Sequence, residues 1–255
     1  MAGWERGLYR LGTVALLTFT LVAWPDPVVG LAQQGAAEAP PGETQQAAPA
    51  VRLYVVDAPS DAVTARWDPA RGIWEFAPPP GATVQVDWGE WHVKANRGRW
   101  DPGRQLAQLE GDVVASRADL EAFTPALTVR ASERVARLSG GVRLVQYRAE
   151  GGRRQARLRS IEAQEMQIDD RTGLLEAWGQ VHVVQEEPAF EALADRLVFD
   201  QATGLAVLTA GAGVQGETEG YRLSGSPRLE YHVETGELVL YGPASIQQVA
   251  EPEGR

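Results

Sequence analysis

Small and apolar residues recur at every second position after a series of glycines, and this period of two organises most of the chain. After Gly173 come Leu175, Ala177, Gly179, Val181 and Val183; after Gly204 come Ala206, Leu208, Ala210, Ala212 and Val214; after Gly236 come Leu238, Leu240, Gly242, Ala244 and Ile246. Successive side chains on a strand point to opposite faces, so the pattern predicts strands with one buried face. The alternate positions carry Glu176, Gln180, His182, Thr209, Glu237 and Ser245, with Trp178 and Tyr241 expected as exposed aromatics. The same register occurs upstream at Ala107, Leu109, Gly111, Val113 and Ala115, and at Ala136, Leu138, Gly140, Val142 and Leu144. The copies centre on positions 111, 140, 179, 210 and 242, which are Gly except for Ala210. A small residue there predicts a bend or a close approach in mid-strand.

The glycines that start the register close a recurring turn, Asp169 to Gly173 and Asp200 to Gly204, repeated as His232 to Gly236 with His in place of Asp. Glycine accepts positive φ, and Asp bonds the backbone two residues on, so this is a hairpin signal with a mechanism. One carboxylate per turn is too few for calcium. A second strand precedes each turn: Ala163, Met166 and Ile168; Ala194, Leu197 and Phe199; Ser226, Leu229 and Tyr231. Such a unit of about 30 residues cannot bury its apolar face alone, so the units must stack. The fold class expected is all-β, an elongated open sheet structure built from two-strand repeats. Asp68 to Gly72 followed by Ile73, Trp74 and Phe76, the break at Pro78 to Gly81, and Val84 and Val86 read as a degenerate first unit that caps the stack. Ala131 to Leu138 reads as strand, and Tyr147 to Ser160 as an insertion that lengthens one spacing.

Residues 1–32 have the layout of a secretory signal peptide: Arg6 and Arg10, an apolar run from Leu11 to Trp24, and small residues Gly30 and Ala32. Cleavage is expected after Ala32, so that the mature chain is exported; the family resemblance given below makes that compartment the periplasm. The alternative is an uncleaved inner-membrane anchor, although the apolar run is shorter than the roughly 20 residues that span hydrocarbon. Residues 33–50 read as a disordered linker, 51–249 as the folded domain and 250–255 as a tail.

The formal net charge of −10 argues against a nucleic-acid partner. Cysteine is absent, which removes thiolate metal sites and cysteine nucleophiles. The histidines are only His92, His182 and His232, without metal-ligand spacing, and Leu223 to Pro227 lacks both glycines of a nucleophile elbow. Adjacent carboxylates such as Asp169 and Asp170 point to opposite faces of a strand. No catalytic residue, cofactor or metal is expected.

The stretch Ala194-Asp-Arg-Leu-Val-Phe-Asp-Gln-Ala-Thr-Gly204, followed by Leu-Ala-Val-Leu-Thr-Ala-Gly, resembles the OstA-like repeat of the lipopolysaccharide-transport family. Its members include the periplasmic bridge LptA, the anchored LptC and the periplasmic domain of LptD. Equivalent stretches run from Ala163 to Gly179 and from Ser226 to Gly242, and the resemblance covers roughly Leu106 to Gln248. It implies a twisted, V-shaped open β-jellyroll whose interior holds acyl chains of lipopolysaccharide or a similar amphiphile. It also implies joining to other transport components, or to further copies head to tail, through edge strands. The lipid-lining candidates are Leu138, Val142, Met166, Ile168, Ala177, Val181, Leu197, Phe199, Leu208, Val214, Leu229, Tyr231, Leu238 and Leu240; the alternative is that they are ordinary core. Arg153, Arg154, Arg157 and Arg159 form a basic run that would meet headgroup phosphates or a partner, or else form a solvated loop. Trp88, Trp91 and Trp100 with Lys94 and Arg97 read either as a partner surface or as an inward-packed cap. Two other functional classes compete with the carrier: a structural β-solenoid of the envelope, which predicts a fully packed core, and a polysaccharide-active enzyme, which needs clustered carboxylates.

Overall fold

The computed structural model describes residues 51–58, 64–150, 153–218 and 220–249. The expected signal peptide, linker and tail lie outside the described residues. The described residues form one antiparallel sixteen-stranded sheet. Its strands are β1 (Val51–Val56), β2 (Ala65–Asp68), β3 (Ile73–Phe76), β4 (Thr83–Trp88), β5 (Trp91–Ala95), β6 (Arg97–Asp101), β7 (Leu106–Arg117) and β8 (Leu120–Arg130). They continue as β9 (Val135–Glu150), β10 (Arg153–Asp169), β11 (Leu174–Gln185), β12 (Phe190–Asp200), β13 (Leu205–Thr218), β14 (Tyr221–His232), β15 (Leu238–Tyr241) and β16 (Ser245–Gln248). No described helix is long and apolar enough to cross a membrane.

From β7 to β14 each strand pairs with the next, and every ladder slips near its middle. The slips fall between Glu110 and Val113, Phe123 and Ala126, Ala163 and Glu165, Glu162 and Glu165, Trp178 and Val181, Leu193 and Arg196, and Thr209 and Val214. Bulges bend strands, so the aligned slips make a crease that divides the sheet into two wings. At one end β7 pairs with β6 along its first half and with β5 along its second. At the other end β14 pairs with β15 and β16 in the same divided way. The first wing therefore runs from β2, β3 and β6 to β15, and the second from β1, β4 and β5 to β16. This is the elongated open sheet structure that the repeats predict, bent as the jellyroll that the resemblance implies.

The central small residues are the crease. Gly179 has φ +79°, and a Cβ there would meet Gln164 Cβ at 2.8 Å. In β13 the crease sits at Gly213, not Ala210: Gly213 has φ +91°, and a Cβ would lie 2.6 Å from Gly225 Cα. The strict alternation fails there, leaving Ala212 exposed. Hydroxyls bridge the interrupted ladder. Thr124 Oγ1 donates to Ser139 O at 2.9 Å and Ser226 Oγ to Tyr241 O at 2.8 Å.

The turns behave as their sequences predict. Gly173 and Gly204 donate to Asp169 O and Asp200 O, both at 2.9 Å, and Gly236 donates to His232 O at 2.8 Å. Asp169 Oδ1 accepts from Arg171 N–H at 2.9 Å and Asp200 Oδ1 from Ala202 N–H at 2.9 Å. The turns also stack, because Gln201 N–H donates to Gly173 O at 3.1 Å and Val233 N–H to Gly204 O at 3.0 Å. Two expectations are corrected. Residues 131–134 are a turn, with Arg134 N–H donating to Ala131 O at 3.2 Å, and strand begins at Val135. Tyr147 to Ser160 is no separate insertion; it lengthens the β9–β10 hairpin to strands of 16 and 17 residues.

Candidate functional site

The inward faces of the two wings meet in one continuous apolar interior. Of the fourteen lining candidates, Leu138, Met166, Ile168, Ala177, Leu197, Leu208, Leu229 and Tyr231 face it from the first wing. Val142, Val181 and Val214 face it from the second. All of these are between 0% and 4% exposed, so the middle of the interior is filled by the protein's own side chains. Phe199, Leu238 and Leu240 are half-buried. The last two lie on β15, where no further strand covers them, and nearby Tyr241 and Ile246 are exposed.

Spare volume lies at the mouth, where the free rims of the wings approach. A cavity of about 550 Å³ opens there, walled by Leu120, Leu144, Leu158, Ile161, Leu175 and Phe199. Arg117, Asp119, Gln146, Arg159, Glu187, Gln201 and Glu234 bring polar groups to its lip. A crease on the sheet holds a second, shallower space of about 760 Å³ near Gly111, Pro125, Gly141 and Gln164.

A polar seam stitches the rims together. Arg117, at the end of β7 in the second wing, donates to Asp170 Oδ1 at 3.0 Å and to Gln201 Oε1 at 3.2 Å, both in turns of the first wing. Arg134 donates to the other oxygen of Asp170 at 2.7 Å. Further along, Gln185 Nε2 donates to Tyr231 Oη at 3.1 Å and to Val233 O at 2.9 Å. Phe190 and Tyr231 stack across the same gap with centroids 4.0 Å apart.

The basic run is split by the backbone. Arg157 is exposed and donates through Nη2 to Glu186 Oε1 at 2.7 Å. Arg159 is only 8% exposed. Its guanidinium carbon stands 4.9 Å from the centroid of the Phe199 ring, and its Nε donates to Gln185 Oε1 at 3.1 Å. Burial pushes the Arg159 pKa down from the ordinary arginine value. Two residues apart on a regular strand they would share a face, but the ladder slips between Arg157 and Arg159. The side chains of Arg153 and Arg154 lie outside the described residues.

The tryptophans follow the inward reading. Trp88 and Trp91 are 2% and 3% exposed, while Lys94 and Arg97 point to solvent and Trp100 is half-buried. Trp91 lies under the Arg117 guanidinium at 4.9 Å, so the cap is tied to the seam. Trp178, expected to be exposed, is half-covered by Arg137 at 5.5 Å. Among the described residues no group of three or more His, Asp or Glu is placed to hold a metal. The histidines His92 and His182 pair on the outer surface with Asp87 and Glu191, each at 2.8 Å.

Sequence reasoning missed Arg117, Gln185 and most of the cavity wall. Leu144 and Leu175 carried the alternation signal; Leu120, Leu158 and Ile161 carried none that separated them from ordinary core.

No family model matches the chain, and no curated protein matches it. Among solved structures, LptH of Pseudomonas aeruginosa is similar, a protein described as the LptA homologous periplasmic component of the lipopolysaccharide transport device. The two share 14% identity with a TM-score of 0.29, over 64% of this chain and 95% of that one.

Proposed function

We propose that the chain is a carrier of amphiphiles in the bacterial periplasm, with lipopolysaccharide as its cargo. The observation that supports this reading is the mouth cavity: apolar on its walls, charged at its lip, and continuous with a greasy interior between two wings. A fatty chain with its polar head at the lip fits that chemistry. The fourteen lining candidates would serve as the deeper path once the wings separate, because closed they leave no room. An acyl chain burying about ten methylenes gains on the order of 8 kcal/mol, an upper bound at ~0.8 per CH₂. Transfer between two such interiors is therefore near balance, and direction must come from a partner.

The edges suit end-to-end assembly. Strands β1 and β2 at one end and β15 and β16 at the other each have a side with no strand partner among the described residues. Unpaired edges accept strands from a neighbour, either another transport component or a second copy, and a head-to-tail contact does not close.

A second reading, a structural element of the envelope without cargo, draws on the closed middle of the interior. Protein isolated from its own envelope and analysed by mass spectrometry separates the two. The carrier brings a stoichiometric lipid, and Leu158→Arg, which puts a charge on the half-buried cavity wall, releases it. Lipid-free wild-type protein would count for the structural element, and retention of lipid by the variant would count against the mouth cavity as the place where the carrier holds it.

A further inference from the structure

The most unusual side chain of the interior is Arg159. It is more than nine-tenths buried, and no carboxylate oxygen among the described residues lies within 4.0 Å of its nitrogens. The other arginines of the seam are matched: Arg117 and Arg134 share Asp170. The acidic residues of the cavity lip are engaged elsewhere or stand off. Asp119 accepts from Gln146 at 2.8 Å, Glu187 accepts from Arg148, and Glu234 makes no ion pair with Arg159.

A buried charge without a counter-charge costs stability, and cores rarely retain one. This one is also held in place. Gln185 presents its carbonyl oxygen to Arg159 Nε at 3.1 Å, and its own amide nitrogen is fixed by Tyr231 and Val233. The Phe199 ring supports one face of the guanidinium. With Nε occupied, the two terminal nitrogens make no hydrogen bond to the described residues, and Arg159 lines the cavity; a guanidinium's planar pair of nitrogens is suited to an oxyanion.

Resting on the carrier reading, we propose that Arg159 is an oxyanion receptor, and that the cavity takes an anionic amphiphile with its head against it. The head is a phosphate or carboxylate carried on an apolar chain, and the chain lies along Leu144, Ile161 and Leu175. The ligand supplies the negative charge that the described residues do not. The binding energy of the head then depends on a desolvated pair, and so discriminates against neutral and cationic heads.

The test is titration calorimetry of the full folded chain with dodecyl phosphate, dodecanoate, dodecyl maltoside and dodecyltrimethylammonium, each below its micelle concentration. The wild type is expected to bind one or both anions about ten-fold or more tighter than the maltoside, and the cation weakest. The two anion arms distinguish a phosphate head from a carboxylate. Arg159→Met, which keeps the stem and removes the charge, is expected to bind all four alike; Arg159→Lys retains part of the preference. Equal affinity of the wild type for anionic and neutral heads overturns the receptor while leaving the carrier standing. Binding of none of the four removes both. The wild-type comparison decides the matter even where a variant fails to fold.

Discussion

Arg117 and Asp170 meet across the mouth of the molecule at 3.0 Å, one at the end of β7 in the second wing and the other in the β10–β11 turn of the first. Their side chains are 21% and 15% exposed, so the pair is shielded enough to matter. Asp170 also accepts from Arg134, and one carboxylate thereby closes the seam for two guanidinium groups.

Replacing Asp170 with Asn should destabilise the protein by about 1–3 kcal/mol, since two guanidinium groups lose the negative charge between them and one of them its acceptor oxygen. Urea unfolding measures the loss. Amide exchange should quicken at the rims around residues 117–120 and 170–173 before it quickens at the crease. Uniform quickening would show that the pair is no latch.

The crease predicts a ranking among glycines. Gly141 has φ +96° with nothing within 4 Å of a Cβ, Gly179 meets Gln164, and Gly213 meets the backbone of Gly225. Substitution by Ala strains the backbone at all of them, by about 1 kcal/mol where space is free and more where it is not. Denaturation midpoints should fall least for Gly141→Ala, more for Gly179→Ala and most for Gly213→Ala. Any inversion of that order would contradict the packing.

Leu208 is completely buried, so Leu208→Ala should cost about 2–5 kcal/mol. Leu208→Arg should fail to fold, because it buries a charge with no partner. Leu158→Arg, half-buried at the cavity, should fold with a nearly unchanged melting temperature. Circular dichroism melts of the three separate core from mouth.

Asp200 supplies a dependence on pH. Backbone bonds from Ala202, with Thr203 adding to them, hold its carboxyl below the ordinary aspartate value. A depressed folded pKa contributes stability that is present above the unfolded value and lost as pH falls through the folded one. The melting temperature of the wild type should exceed that of Asp200→Asn at neutral pH, and the two should converge in acid below the ordinary aspartate range. A gap that does not change with pH would remove the charge from the explanation.

The turns were legible because their physics is local. An Asp that bonds its own backbone and a Gly that accepts positive φ lie within five residues of each other. The alternation was legible for the same reason, since the pleat reverses at every residue. It misled wherever a bulge added a residue. Ala210 took the place of Gly213 as the expected centre, and Arg157 and Arg159 were expected to act together when a slip turns them to opposite sides. The cavity wall was only partly legible, because Leu120 and Leu158 come from strands whose apolar positions look like any core.

By itself the sequence determined the repeat, the hairpin turns and the inward face of most strands up to their bulges, all set by interactions a few residues apart. Only the tertiary structure decided where the sheet creases, which rim residues meet across the mouth, and that Arg159 is buried without a counter-charge among the described residues. Those depend on pairings between strands distant in sequence, and a shift of one residue in a ladder reverses the face a side chain occupies.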